Sequence, residues 1–165
     1  MYQLEVKAQL VTSRFHATQG WRVTVHVDPM ERAQGGTHPE DKRAIAERCL
    51  AIINEADASI GAHPVYGRVD IVAERDGEPC YFIEVEGQSS RQREQAVYSA
   101  LGQLVVAMNV PREARRYGLA VPDDPEWVAQ VSKFPQRILD LLNIEVFLVS
   151  KDGVRMGNAD TNWAG

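Results

Sequence analysis

Residues 21–27, Trp21-Arg22-Val23-Thr24-Val25-His26-Val27, alternate strictly between apolar and polar. Trp21, Val23, Val25 and Val27 share one face, the period of two of a half-buried strand. Residues 2–12 alternate more loosely and read as a preceding strand. Gln19-Gly20 supplies a turn, so residues 1–28 read as an N-terminal β-hairpin. Pro29, Gly35-Gly36 and Pro39 make the next stretch a loop. From there the period changes. Ile45, Cys49, Ile52, Ile53 and Ala56 recur at helical spacing, predicting a helix over 40–57 with Thr37 or Asp41 as its cap.

Strands follow at 67–74 and 80–86, joined by an Asp76-Gly77 turn. Residues 90–108 predict a second helix with an apolar stripe of Val97, Leu101, Leu104, Val105 and Met108. Residues 116–121 read as a short buried strand. Residues 125–142 read as a helix that Pro125 starts and Pro135 interrupts. Residues 144–149 form the last strand, and Asp152-Gly153 turns the chain again. The order β-β-α-β-β-α-β-α-β predicts an α/β fold with a central mixed sheet flanked by helices. It is expected as one domain over residues 1–165, with a core from about 38 to 156 and a frayed polar tail over 157–165.

The chain has 165 residues, 44% hydrophobic and 25% charged, enough to bury a core without disulfides or structural metal. Cys49 and Cys80 form no CxxC pair, so a zinc ribbon or thioredoxin-type site is excluded, and a reducing cytoplasm is expected. No apolar run approaches the roughly 20 residues of a membrane span, and the N-terminus lacks the pattern of a signal peptide. The net charge of −5 argues against a sequence-blind nucleic-acid binder. That charge is uneven. Residues 61–90 carry two arginines and six acids, whereas residues 91–116 carry five arginines and two glutamates.

The acidic stretch holds Asp70, Glu84 and Glu86 on two adjacent strands. Glu84 and Glu86 leave the same face, about 6.5–7 Å apart. The Asp76-Gly77 turn puts Asp70 nearest Ile83 and Glu84. Three carboxylates brought together repel one another and hold raised, coupled pKa values unless a cation joins them. Mg²⁺, a hard ion with oxygen ligands, resolves the repulsion and can activate a bound water. The plainer alternative is that these acids are solvated, or paired with Arg68, Arg91 or Arg93.

The stretches Gly67-Arg68-Val69-Asp70-Ile71-Val72-Ala73, Tyr81-Phe82-Ile83-Glu84-Val85-Glu86-Gly87, Gln95-Ala96 and Ala100-Leu101-Gly102-Gln103-Leu104 together resemble the PD-(D/E)XK nuclease superfamily. The resemblance spans roughly residues 40–150 and implies a restriction-endonuclease-like core that hydrolyses DNA phosphodiesters with Mg²⁺ or Mn²⁺. It implies Asp70 and Glu84 as metal ligands, the Val85 carbonyl as a further ligand and Gln103 as a helper on the following helix. An additional acid is implied on helix 40–57, with Glu47 and Glu40 as candidates. The chain departs from the pattern at one place: Glu86 stands where the family has lysine. Glu86 could serve as a ligand or as a general base, or it could mark a scaffold that binds without cutting. Gln88, Arg91 or Arg93 could supply a substitute donor.

Arg91 and Arg93 are the first candidates for phosphate contact, because arginine opposes the helix dipole at an N-terminus. DNA is the expected partner. So small a chain implies a homodimer or a protein partner that supplies specificity. The second reading is an inactive nuclease-like subunit that binds nucleic acid or protein. A third, a hydrolase using Glu84 and Glu86 as an acid/base pair, lacks any accompanying aromatic platform. The four histidines show no metal-ligand spacing, Trp21 is expected in the core, and no Walker A or GxGxxG sequence is present.

Overall fold

The structure is a computed structural model that describes residues 1–34, 36–88, 92–108 and 115–157. Its centre is one mixed sheet of seven strands: β1 (Arg22–Val25), β2 (Ser59–Ile60), β3 (Ile71–Glu74), β4 (Cys80–Val85), β5 (Arg115–Pro122), β6 (Ile144–Ser150) and β7 (Gly153–Met156). The strands lie in the order β2-β1-β3-β4-β5-β6-β7. β3 runs antiparallel to both its neighbours, β1 and β4, whereas β4, β5 and β6 run parallel. The parallel strands are joined by helical crossovers, as long parallel connections require.

Five helices cover the sheet: α1 (Gln3–Ser13), α2 (Lys42–Glu55), α3 (Arg93–Ala107), α4 (Pro125–Val131) and α5 (Gln136–Leu142). Residues of α1 and α2 share one core cluster with Ile71, Ala73, Tyr81, Ile83 and Val85. Residues of α3, α4 and α5 share another with Val72, Phe82, Leu119 and Val121. Alternate residues of β3 and β4 therefore face opposite layers, the period-two rule at work on a sheet buried on both sides. Among the described residues no helix is long and apolar enough to cross a membrane.

The sequence reading fails at the N-terminus. Residues 2–12 are not a strand, and there is no N-terminal hairpin; α1 takes their place. Leu4, Val6, Lys7, Ala8, Leu10 and Val11 are all buried on this helix. The spacing of Leu4, Lys7, Ala8 and Val11 is helical, but a lysine interrupts the stripe. Burial on more than one side, with α2 and the sheet both as neighbours, removes the polar face that marks a surface helix.

Elsewhere the agreement is closer. The Asp76-Gly77 turn is present, with Gly77 at φ +80°, and β3 pairs β4 as Ile71 to Ile83. Pro135 separates α4 from α5. Asp124 caps α4, its carboxylate accepting from the N–H groups of Glu126 and Trp127. Trp21 is buried edge-on against Phe15. The α3 stripe is rotated from expectation: Ala96, Val97, Ala100 and Leu104 face inward, while Val105 is half exposed and Val106 is 81% exposed. The short strands β2 and β7 are additions to the expected set. The expected frayed tail beyond residue 157 lies outside the described residues.

Candidate functional site

Asp70 immediately precedes β3. Its backbone carbonyl accepts from the His26 N–H at 2.9 Å, which keeps it in line with β1. The last β3–β4 pair is Ile71 to Ile83, and beyond it the two strands part. Val85 then donates its N–H to the Asp70 carboxylate, at 2.9 Å to Oδ2. The site therefore sits at the carboxyl end of β4, where a side chain takes over from the ladder. Such strand ends are where open α/β sheets gather ligands.

Glu84 precedes Val85 on β4 and is only 8% exposed. Its carboxyl group shares a hydrogen bond with Asp70. Burial first, and then the charge of Asp70, push its pKa up from 4.5 to about 8, against the lowering effect of Lys7. The charge of Glu86 acts in the raising direction as well. Glu86 is half-buried just past the strand, and its N–H donates to the Ala120 carbonyl at 2.9 Å. Thus Asp70 and Glu84 meet, with Glu86 close enough to bear on Glu84. Among the described residues, however, no three His, Cys, Asp or Glu side chains gather as a metal-binding group.

Three residues that sequence reasoning missed complete the centre. The first is Lys7 of α1, with 0% exposure. Its ammonium donates to the His26 carbonyl at 2.7 Å, to Asp70 Oδ1 at 2.8 Å and to Glu31 Oε2 at 2.9 Å. Burial works against this charge, but Asp70 and Glu31 outweigh it and hold the ammonium above its ordinary range. The second is Glu31, buried in the loop after β1. Its burial outweighs Lys7 and raises its carboxyl pKa. The charge of Asp70 adds to the burial that raises Glu31, while the two acids together outweigh the burial of Lys7.

The third is Gln3, at the start of α1. Its Nε2 donates to the Val85 carbonyl at 2.6 Å and to Asp70 Oδ2 at 3.2 Å. Gly87 allows this approach, because a Cβ there would stand 2.7 Å from Gln3 Cα and from the Tyr2 carbonyl carbon. The Gln88 N–H donates to the Met1 carbonyl at 2.8 Å and fixes the same contact.

Glu31 is placed by a small reciprocal turn. The Asp28 N–H donates to Glu31 Oε2 at 2.9 Å, and the Glu31 N–H donates to Asp28 Oδ1 at 2.8 Å. The Asp28-Pro29-Met30-Glu31 spacing carries this capping-box signal in the sequence. Nothing comparable marks Lys7 or Gln3, whose partners lie far along the chain.

The remaining expected residues stand apart. Glu47 pairs with Arg43 at 3.2 Å on an exposed face of α2, and Glu40 is exposed. Gln103 is exposed on α3, and among the described residues no hydrogen bond joins it to Asp70, Glu84 or Lys7. Arg93 forms an ion pair with Glu126 and lies over the Trp127 ring at 5.9 Å, tying α3 to α4. Arg91 lies outside the described residues. Among the described residues Asp70 pairs with Lys7, not with Arg68 or Arg93. Comparison of the chain with protein-family models, with characterised proteins and with solved structures gives no match.

Proposed function

We propose that this protein is a metal-dependent phosphodiesterase acting on DNA, with its centre at Asp70 and Glu84. The observation that carries the reading is the hydrogen-bonded pair these two acids make at the end of β4, where Glu84 is pushed up to about 8. A buried carboxyl held neutral beside another acid marks a place short of positive charge. Lys7 supplies part of that charge from the Asp70 and Glu31 side. The donor set suits a hard divalent ion: two carboxylates and the Val85 carbonyl, all oxygen.

Asp70, Glu84 and the Val85 carbonyl would hold Mg²⁺ or Mn²⁺, with the Gln3 amide giving up its bond to that carbonyl. Such an ion supplies Lewis-acid stabilisation of a phosphate oxygen and a bound water of lowered pKa. Asp70 is oriented on both oxygens, by Lys7 on Oδ1 and by Val85 and Gln3 on Oδ2. Glu86, at the open end of the strand, accepts the proton of an attacking water. The mixed sheet flanked by helices on both faces is compatible with a restriction-endonuclease-like core.

A second reading has its own support. Gln3 and Lys7 satisfy the Val85 carbonyl and Asp70 without any ion. That arrangement suits a nuclease-like module that binds nucleic acid or protein without cutting. Supercoiled, linear and single-stranded DNA incubated with Mg²⁺, Mn²⁺ or chelator separate the two readings. Cutting that needs the metal and disappears in Asp70→Asn and Glu84→Gln is expected. If no substrate is cut and calorimetry shows no Mn²⁺ binding, the phosphodiesterase reading is wrong and the binding module stands.

A further inference from the structure

α3 covers the sheet with one face, yet its other face carries no more charge than a buried one. From Gln95 to Ala107 the chain has no charged residue. A helix that covers a core normally turns charged side chains to water, as α2 does with Arg43, Glu47 and Arg48. α3 turns out Tyr98, Gly102, Val105 and Val106 instead, with Val106 81% exposed. At 3.6 residues per turn, Tyr98, Val105 and Val106 lie within about 60° of Gly102. They form one stripe opposite the buried Val97, Ala100 and Leu104.

Gly102 stands at the middle of this stripe. Glycine weakens a helix interior relative to alanine. Nothing inside the protein requires it: its φ is not positive, and beyond its own turn of helix a Cβ there would meet no atom within 4 Å. On an outer face a glycine lets a second helix approach the backbone closely, since the side chains at a crossing set the distance between axes. Tyr98 stands one turn away as a fixed anchor. Its ring packs on Phe134 with centroids 5.9 Å apart, and its hydroxyl donates to Glu94 at 3.0 Å. Lys133 neutralises Glu94 at 2.9 Å.

We propose that the outer face of α3 is the surface on which two copies of this chain meet, α3 against α3, antiparallel about a two-fold axis at Gly102. The spacing fixes the register. Positions equally far before and after Gly102 stand opposite one another, so Tyr98 meets the partner's Val106 and Ser99 meets the partner's Val105. Such a pairing is self-complementary, as a two-fold interface must be. It also sets each helix N-terminus towards a C-terminus, the favourable sense for two dipoles. Charge selects this occupant. Nucleic acids and anionic membranes are held by lysine and arginine, and the stripe has neither. A second copy offers an equally neutral face of the same length, with a valine for each tyrosine. α3 has 15 residues, so it is about 22 Å long and about 10 Å across. That footprint is well below the about 800 Å² per partner of a standard stable interface, so the dimer is weak.

Sedimentation equilibrium of the full chain from about 10 μM to about 1 mM covers the affinities of such a contact. Melting curves at the lowest concentration check folding. The wild type is expected to pass from monomer to dimer within this range. Val106→Glu sets a carboxylate against the partner's Tyr98 and should weaken association at least about tenfold. It should still melt like the wild type, because Val106 is exposed in the single chain. Gly102→Ala should also weaken association yet melt higher, since alanine favours the helix and only a second copy meets the new Cβ. A wild type that stays monomeric throughout gives the stripe to some other partner and overturns the proposal. Unchanged association in Val106→Glu puts the interface elsewhere, and unchanged association in Gly102→Ala removes the crossing at Gly102; either overturns it too. None of these results bears on the phosphodiesterase reading, which concerns another part of the molecule.

Discussion

The Lys7 ammonium and the Asp70 carboxylate, 63 residues apart in the chain, meet at 2.8 Å with Lys7 wholly inside the protein. The pair joins α1 to the end of the β3–β4 hairpin. Burying an ammonium is costly, and it is sustained here by three hydrogen bonds and two carboxylates.

Lys7→Met should destabilise the protein by about 3–5 kcal/mol, because Asp70 and Glu31 lose their buried cation. Adding Glu31→Gln should recover much of this, since the second buried acid goes with the first charge. Urea unfolding of both variants in chelator measures it. A loss under about 1 kcal/mol for Lys7→Met would mean that water reaches the pair.

Glu84 gives a pH dependence of definite sign. Folded, it keeps its proton up to about pH 8; unfolded, it loses that proton near the ordinary 4.5. Between these values the folded protein binds more protons, so stability falls as pH rises. The contribution of neutral Glu84 is complete below the unfolded value and is lost as pH rises through about 8. Melting curves in chelator should show this decline, and Glu84→Gln should flatten it and melt higher at pH 8. An unchanged slope in the variant would assign the decline to other groups.

Gly87→Ala tests how α1 is seated. The new Cβ would meet backbone atoms of Tyr2 and Gln3, which cannot rotate away as a side chain can. A loss of about 1–3 kcal/mol is expected, with faster hydrogen exchange along α1 than along β5. Uniform exchange would show that the start of α1 moves without disturbing Lys7.

Metal binding should also appear as stability. A ligand that binds only the folded state raises the melting temperature with its concentration. Millimolar Mn²⁺ should raise it for the wild type and not for Asp70→Asn, and chelator should reverse the rise. An equal rise in both proteins would place the ion elsewhere.

Arg93 illustrates the limit of reading charge from sequence. Its place at a helix start suggests a phosphate contact; in the structure it pairs with Glu126 and lies over the Trp127 ring. Arg93→Ala should cost under about 1 kcal/mol, as exposed ion pairs do. Chemical denaturation measures it. A larger loss would mean that the α3–α4 contact depends on this residue.

Features written by local spacing were legible in the chain. The alternation of Val23 and Val25, the Asp76-Gly77 turn and the break at Pro135 all appear where expected. The turn carried the pairing of β3 with β4, and that pairing brought Asp70 to Glu84. Glu47 and Gln103, which only the resemblance singled out, are exposed on α2 and α3, since a motif does not say which way a helical residue looks once the helix has docked.

The sequence by itself thus determined the strands β1 and β3 to β6, their mixed sheet and the two acids that meet at its end. Tertiary structure decided what surrounds those acids. Lys7 reads as a polar interruption of an apolar segment, because its counter-charges lie 24 and 63 residues away. Only when α1 docks, with Gly87 leaving room for Gln3, do the distant carboxylates make a buried ammonium stable. Its stability depends on long-range charge pairing, which no local period encodes.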